Sequence, residues 1–177
     1  MASDSIVDER TMREIYLTGF EIVCRSAKPR VIMSSYNLVN GTYAHENKHL
    51  LTDILRTEWG FDGMVVSDWG GSNSAVAAVR AGGSLEMPAP GLAGARQIVE
   101  AVEAGELDAA DVYARAQEVL NVAAASAGLP APTPYDLDGH HKLATRIASE
   151  AITLLRNDGD LLPLSAGTSV ALIGDLA

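Results

Sequence analysis

An aspartate and a tryptophan that directly follow a short apolar run are the residues of this sequence best placed to do chemistry. The run, 63–67 (GMVVS), is typical of a β-strand, and Asp68, Trp69 and Gly70-Gly71 follow it. A carboxylate at the C-terminal end of a strand lies where α/β barrels place their active sites. Trp69 offers an apolar face to the C–H side of a sugar ring, and the glycines allow a tight turn beside the carboxylate. The alternative is that Asp68 caps the following helix.

Alternating helical and strand-like segments surround this pair. Apolar residues at three- and four-residue spacings, and short runs of strand-forming residues, predict the elements. The predicted helices are 8–27, 47–59 and 73–81, and the predicted strands are 31–35, 63–67 and 84–87. Asn40-Gly41 predicts a turn, and Asn47 and Asp108 are candidate caps at the starts of the helices that follow them. Strands that are apolar on both sides belong to a parallel sheet covered by helices, so we expect an α/β fold.

The rest of the chain predicts two further helices, a linker and a last strand. The alanine-rich segments 92–104 and 108–127 are helical in pattern, and the proline-rich 129–139 predicts an extended linker. A helix over 140–156 and a strand over 169–174 follow. Three strands before the linker are too few for a barrel, which needs eight strands and about 250 residues. We therefore interpret the chain as a part of a larger α/β protein.

Composition and charge exclude several classes of protein. The 177 residues are 47% hydrophobic and carry a net charge of −10. A nucleic-acid binder needs a basic face, and an anionic membrane surface would repel this chain. No apolar run approaches the ~20 residues of a membrane span, and the single Cys24 excludes an internal disulfide. The charge favours a neutral partner or a small molecule, and the absence of a signal-like N-terminus favours the cytoplasm.

An ordered set of motifs carries a resemblance to one family. The motifs are DER at 8–10, VIMSSYNLVN at 31–40, EN at 46–47, EWGFDG at 58–63, VVSDWG at 65–70, LEMP at 85–88 and the segment 148–164. Together they resemble glycoside hydrolase family 3, especially its β-glucosidase and β-xylosidase branch. The branch that acts on N-acetylglucosaminides is disfavoured, because its His-Asp pair is absent.

The resemblance implies an activity and assigns roles to four residues. Members pair a TIM-like barrel with a second α/β sandwich domain, and they release β-linked sugars from non-reducing ends with retention. Asp68 is then the nucleophile that forms a glycosyl-enzyme intermediate. Tyr36 lies beside it as a hydrogen-bond donor, while Met33 and Trp69 line the sugar subsite. The acid/base is a glutamate of the second domain, outside this chain, and the partner is a small-molecule β-glycoside.

The resemblance also divides the chain and leaves a second hypothesis open. Residues 1–128 correspond to the C-terminal portion of the barrel with following helices, 129–164 to a linker and helix, and 165–177 to the start of the second domain. The early barrel and the acid/base are missing. The alternative is therefore a truncated, inactive chain that at most binds sugar or protein and self-associates through exposed barrel edges. Ser84 stands where the family often has aspartate, which bears on substrate preference.

Other chemically capable residues have simpler interpretations. Glu86, at the end of the next predicted strand, could be a second carboxylate, but the resemblance places the acid/base elsewhere. His45 and His49 are too sparse for a metal site, and we expect solvated or capping roles for them. We interpret Cys24, in the predicted helix 8–27, as a small buried hydrophobic residue. The run 169–174 lacks GxGxxG, and we expect neither a metal nor a cofactor.

Overall fold

A computed structural model describes residues 3–89, 91–130 and 134–175. The chain divides into two compact units, Met1–Pro130 and Ala131–Ala177. The strands are β1 (Asp4–Ser5), β2 (Val31–Ser34), β3 (Leu38–Val39), β4 (Thr42–Tyr43) and β5 (Met64–Ser67). The helices are α1 (Glu9–Thr11, the π-helical Met12–Leu17, and Thr18–Ala27), α2 (His49–Glu58, π-helical), α3 (Ala75–Ala81), α4 (Ala93–Glu103), α5 (Ala109–Ala127) and α6 (Leu137–Ala151). Short 3₁₀ turns lie at Ala44–Glu46 and Asp158–Asp160.

The parallel pair of β2 and β5 forms the centre of the first unit. Its register runs from Val31 opposite Met64 to Ser34 opposite Ser67. On the other side of β5, Leu85 forms an isolated parallel bridge with Val66. The parallel strands confirm the predicted α/β class. The predicted strand 84–87 is reduced to this one bridge.

Side-chain alternation along the sheet decides what enters the core. Val65 of β5 packs with residues of α1 and α2 on one face of the sheet, and Ile32 of β2 packs against the same cluster. The buried members are Cys24, Leu51, Leu55, Phe61 and Val65. Burying each large apolar side chain stabilises the fold by about 1.5–3 kcal/mol. Cys24 is buried, as predicted.

Polar side chains begin two of the helices where the sequence predicts them. Asn47 Oδ1 accepts a hydrogen bond from the Leu50 N–H at 3.2 Å, at the start of α2. Asp108 Oδ1 accepts from the Ala110 N–H at 2.8 Å, at the start of α5. These oxygens satisfy N–H groups that have no partner inside the first helical turn. The predictions of both caps are confirmed.

A small second sheet joins β1 to the strands β3 and β4, which follow β2. β1 is parallel to β3, and β3 is antiparallel to β4. Asn40 and Gly41 turn the chain between β3 and β4 with φ of +50° and +83°, which confirms the predicted turn. The Asn40 side chain also bonds the main-chain N–H and C=O of Val7. The chain before α1 is thereby tied to the loop that follows β2.

The second unit differs from the sequence predictions in two places. The predicted helix 140–156 begins earlier and ends earlier, since α6 starts after the Asp136 cap and Ile152 is extended. The predicted strand 169–174 is wrong within the described residues 134–175. Val170, Leu172 and Ile173 there lie outside any sheet and are largely exposed. A strand needs a partner for its N–H and C=O groups. Part of the predicted linker, 131–133, lies outside the described residues.

A largely buried ion-pair cluster attaches α5 to the rest of the first unit. Glu118 Oε1 lies 2.9 Å from Arg56 Nη1 and 2.6 Å from Arg115 Nη2. Its other oxygen accepts a hydrogen bond from the Ser84 hydroxyl. Arg56 also donates to the Gly82 carbonyl at 2.8 Å. Removing one partner would leave a buried charge uncompensated, so the cluster couples α2, α5 and the chain after α3.

His45 contradicts the expectation of a solvated or capping role. Its ring is 1% exposed, and Nδ1 lies 2.8 Å from the Ser34 hydroxyl at the end of β2. A Cβ at Gly83 would lie 2.5 Å from Nε2, so a glycine is required where the backbone covers the ring. Burial lowers the pKa of His45 to about 4. The residue is a neutral core histidine.

We expect the His45 imidazole to stay neutral as the pH falls from 7 to 5. Its folded-state pKa of about 4 lies below the ordinary value of 6.5. The unfolded chain therefore takes up a proton between these values that the folded chain does not, and the free energy of unfolding decreases as the pH falls through that window. Over the whole window, protonation of His45 in the unfolded chain lowers the free energy of unfolding by roughly 3 kcal/mol. An NMR titration of the His45 ring, assigned with His45→Gln, checks this; titration near pH 6.5 would contradict it.

Candidate active site

Asp68 is held at the end of the parallel sheet by the sheet's own hydrogen bonding. It is the first residue after β5, and its N–H donates to the Ser34 carbonyl at 3.0 Å. Its Oδ1 accepts from the Trp69 N–H at 2.6 Å. The cap of α3 is Ser74, whose side chain accepts from the Ala77 N–H. The half-buried carboxylate of Asp68 is therefore not the cap of that helix.

A tight turn follows Asp68 and passes against the loop after β2. The Gly71 N–H donates to the Asp68 carbonyl at 2.9 Å, and the Gly70 N–H donates to the Met87 carbonyl at 2.9 Å. A Cβ at Gly71 would lie 3.1 Å from the Asp68 carbonyl oxygen and 3.2 Å from the Tyr36 Cα. Glycine at this position lets the two backbones approach. The turn thus brings Gly71 against the main chain of Tyr36.

Met33 and Asp68 share one face of the sheet and one cavity. Met33 is paired with Val66, and alternation along β5 places Asp68 on the same face as Val66. Both Met33 and Asp68 line a cavity of about 670 Å³. The rest of its wall is mainly apolar and comes from the chain around β1, α1 and α2, including Ile6, Met12, Tyr16, Phe20, Leu50 and Ile54.

Tyr36 and Trp69 lie outside the described part of the cavity wall. Tyr36 follows β2 by two residues and is 37% exposed, and Trp69 is 62% exposed. The structure therefore places Met33 and Asp68 on one cavity, and it places Tyr36 against Gly71 in the turn after Asp68. The Trp69 side chain is largely exposed, and its main-chain N–H is the group that contacts the Asp68 carboxylate.

Two buried serines for which the sequence predicted no role, Ser34 and Ser67, support the ends of β2 and β5. Ser67 is fully buried, and its hydroxyl accepts from the Met87 N–H at 2.8 Å and contacts the Met87 carbonyl at 3.3 Å. Ser34, opposite it in the register, bonds His45. A serine at an inward position of an otherwise apolar strand was the available signal. Such a hydroxyl must find a partner when it is buried.

Glu46 is a third residue to which the sequence analysis gave no role. Its Oε1 accepts hydrogen bonds from the N–H groups of Asn73 and Ser74, both at 2.7 Å. The contact joins the 3₁₀ turn after β4 to the segment between Asp68 and α3. The sequence contains Glu46 within the EN motif, but nothing in the local pattern indicates a partner 27 residues away.

Glu86 directly follows Leu85, the residue that forms the isolated bridge with Val66. It is half-buried, and burial raises the pKa of its carboxyl, with a smaller contribution in the same direction from the negative charge of Glu46. A carboxyl with a raised pKa holds its proton more readily than an ordinary glutamate. Glu86 is not among the residues that line the cavity shared by Met33 and Asp68.

Metal-ligand groups and membrane-spanning helices are both absent from the described residues. Within 3–89, 91–130 and 134–175, His, Cys, Asp and Glu side chains form no group of three or more that could hold a metal ion. The helices in these ranges include none with both the length and the apolar character needed to span a membrane.

Comparison with known proteins connects this site to a family. Residues 3–122 match the Glycosyl hydrolase family 3 N terminal domain. The chain is 44% identical over 175 residues to thermostable beta-glucosidase B of Acetivibrio thermocellus, covering 98% of this chain and 23% of that protein. Beta-glucosidase 3B from Thermotoga neapolitana, solved in complex with glucose, superposes with a TM-score of 0.73 at 37% identity, covering 92% of this chain and 24% of that one.

A second solved structure agrees with the first. The family 3 β-glucosidase of Bifidobacterium adolescentis matches with a TM-score of 0.72 at 39% identity, covering 91% of this chain and 24% of that one. This chain spans less than a quarter of the length of these relatives. The family match covers more than half of the chain and includes β2, β5 and Asp68, and it confirms the resemblance drawn from the sequence. The chain belongs to glycosyl hydrolase family 3.

Proposed function

We propose that the complete polypeptide that carries residues 1–177 is a retaining, exo-acting β-glycoside hydrolase of the β-glucosidase type. Its substrate is a small-molecule β-glycoside. The observation that carries the proposal is the half-buried Asp68 carboxylate at the C-terminal end of β5, on a cavity that Met33 of β2 also lines. The names of the relatives support the substrate class, and one of them was solved with glucose bound.

In the proposed mechanism Asp68 is the nucleophile. Its carboxylate attacks the anomeric carbon on the face opposite the leaving group, and the bond to the aglycone oxygen breaks as an acid donates a proton to that oxygen. Water, deprotonated by the same residue, then displaces Asp68 and releases the sugar with net retention. The Trp69 N–H holds Oδ1, which leaves Oδ2 to form the covalent bond.

The neighbouring residues have binding roles in this proposal. Met33 contacts the sugar from the cavity wall, and the Tyr36 hydroxyl donates a hydrogen bond at the nucleophile. The exposed Trp69 indole packs against the C–H face of a sugar ring. The acid/base lies outside this chain.

Replacing Asp68 in the complete polypeptide should abolish hydrolysis. For Asp68→Ala we expect kcat for p-nitrophenyl β-glucoside to fall by about 10⁴-fold or more, because no carboxylate remains to form the intermediate. A 2-deoxy-2-fluoroglucoside with a good leaving group should label the wild-type peptide that contains Asp68, detected by mass spectrometry. Asp62→Asn, an exposed aspartate just before β5, is the matched control. Unchanged activity in Asp68→Ala, or a label on another residue, would refute the role.

A comparison of leaving groups decides between Glu86 and an acid/base outside this chain. Methoxide is a poor leaving group that must be protonated, whereas 2,4-dinitrophenolate leaves without a proton. Because we place the acid/base outside this chain, we expect Glu86→Gln to change kcat/KM for the two β-glucosides by similar factors. If Glu86 were the acid, the methyl glucoside would lose about 10²–10⁴-fold more than the dinitrophenyl glucoside. That difference would overturn the placement of the acid/base.

A specific observation favours a second proposal for the 177 residues alone. Large apolar side chains on α1 and β2 are exposed, among them Ile15 (69%), Tyr16 (63%), Phe20 (53%) and Met33 (53%). Exposed apolar patches of this kind are typical of surfaces that meet another polypeptide. We propose that the isolated chain is catalytically inactive and self-associates through these faces.

Purified residues 1–177 should show no hydrolysis above an Asp68→Ala control, because the pocket lacks the acid/base. Sedimentation velocity should show oligomers that shift toward monomer in Tyr16→Ser and Phe20→Ser. Asp68-dependent turnover would contradict the first expectation. A monodisperse monomer with a sharp two-state melt would contradict the second.

A further inference from the structure

We propose that Glu46 is a positioning residue for Asp68, a role that rests on the proposed function. Glu46 Oε1 accepts from the Asn73 and Ser74 N–H groups at 2.7 Å each. Hydrogen bonds from N–H groups to an ionised carboxylate are among the stronger ones in proteins. These two bonds hold the far end of the segment that starts at Asp68.

The near end of the same segment is fixed by the sheet. The Asp68 N–H is bonded to Ser34, and the Gly70 N–H is bonded to Met87. The six residues from Asp68 to Asn73 contain no regular element, and within them the Gly71 N–H returns to the Asp68 carbonyl. If the Asn73 end of this segment is no longer held, the turn that positions the Asp68 carbonyl and side chain therefore becomes less well fixed.

Glu46 is itself anchored to the strand that carries Met33. The preceding His45 is buried and bonds the Ser34 hydroxyl at the end of β2. The Ala44 N–H donates to the Asn37 carbonyl at 3.1 Å, which ties the same 3₁₀ turn to the loop after β2. Glu46 thus connects the end of β2 to the segment after β5. This carboxylate adds a side-chain link between the two strand ends to the main-chain bond from Asp68 to Ser34.

The test measures kcat and KM separately in the complete polypeptide. For Glu46→Ala we expect kcat for p-nitrophenyl β-glucoside to fall about 10–100-fold with KM changed less than about threefold, because a misplaced nucleophile slows the reaction more than it weakens binding. Glu46→Gln keeps an oxygen acceptor and should remain within about threefold of wild type. Glu100→Ala, an exposed glutamate on α4, is the matched control. A Glu46→Ala variant with wild-type kcat overturns the proposal.

A second background separates positioning from general destabilisation. In Asp68→Gly, added azide attacks the anomeric carbon, forms the C–N bond of an α-glucosyl azide, and releases nitrophenolate. Since Asp68 takes no part in that reaction, Glu46→Ala should cause no further loss there. An equal loss in both backgrounds would show that Glu46 acts through the fold and not through Asp68.

Two further outcomes keep the proposals distinct. Full activity of Asp68→Gly without azide would overturn the proposed function. Loss of activity in Asp68→Gly together with wild-type activity in Glu46→Ala would overturn only the role of Glu46. If Glu46→Ala does not fold, Glu46→Asp serves instead. Its shorter side chain should lower kcat by about tenfold and speed hydrogen exchange at Asn73 and Ser74, and wild-type values of both would refute the positioning role.

Discussion

The parallel pairing of β2 with β5 is the constraint on which the site depends. Its register ends with Ser34 opposite Ser67, and the ladder continues into the hydrogen bond from the Asp68 N–H to the Ser34 carbonyl. Because side chains alternate along a strand, a slip by one residue would turn Met33 and Asp68 away from their common face. The apolar cluster on the other face holds the register through Val65.

Polar anchors appear where the strands leave the apolar core. Ser34 bonds His45, and Ser67 bonds the main chain of Met87. Both serines are buried, so a lost partner would leave a polar group unsatisfied at a cost of about 1–3 kcal/mol. These bonds hold the loops at the carboxyl ends of the strands. A catalytic group on such loops is only as well placed as the residues that support it.

Ser84 belongs to the ion-pair cluster that attaches α5 to the rest of the first unit. The Ser84 hydroxyl donates a hydrogen bond to the carboxylate of Glu118 on α5. The same glutamate pairs with Arg56 of α2 and with Arg115. The bonds of the cluster join α2, α5 and the chain that leads to Leu85.

The sequence by itself determined the local elements and the place of Asp68. Helical spacing, strand-forming runs and capping residues act over a few positions, so β2, β5 and the caps of α2 and α5 were predictable. Tertiary structure alone decided the burial of His45 against Ser34 and the contact of Glu46 with Asn73, because these partners are 11 and 27 residues apart. It also decided that 169–174 forms no strand within the described residues, since apolar composition cannot supply the partner that a strand requires.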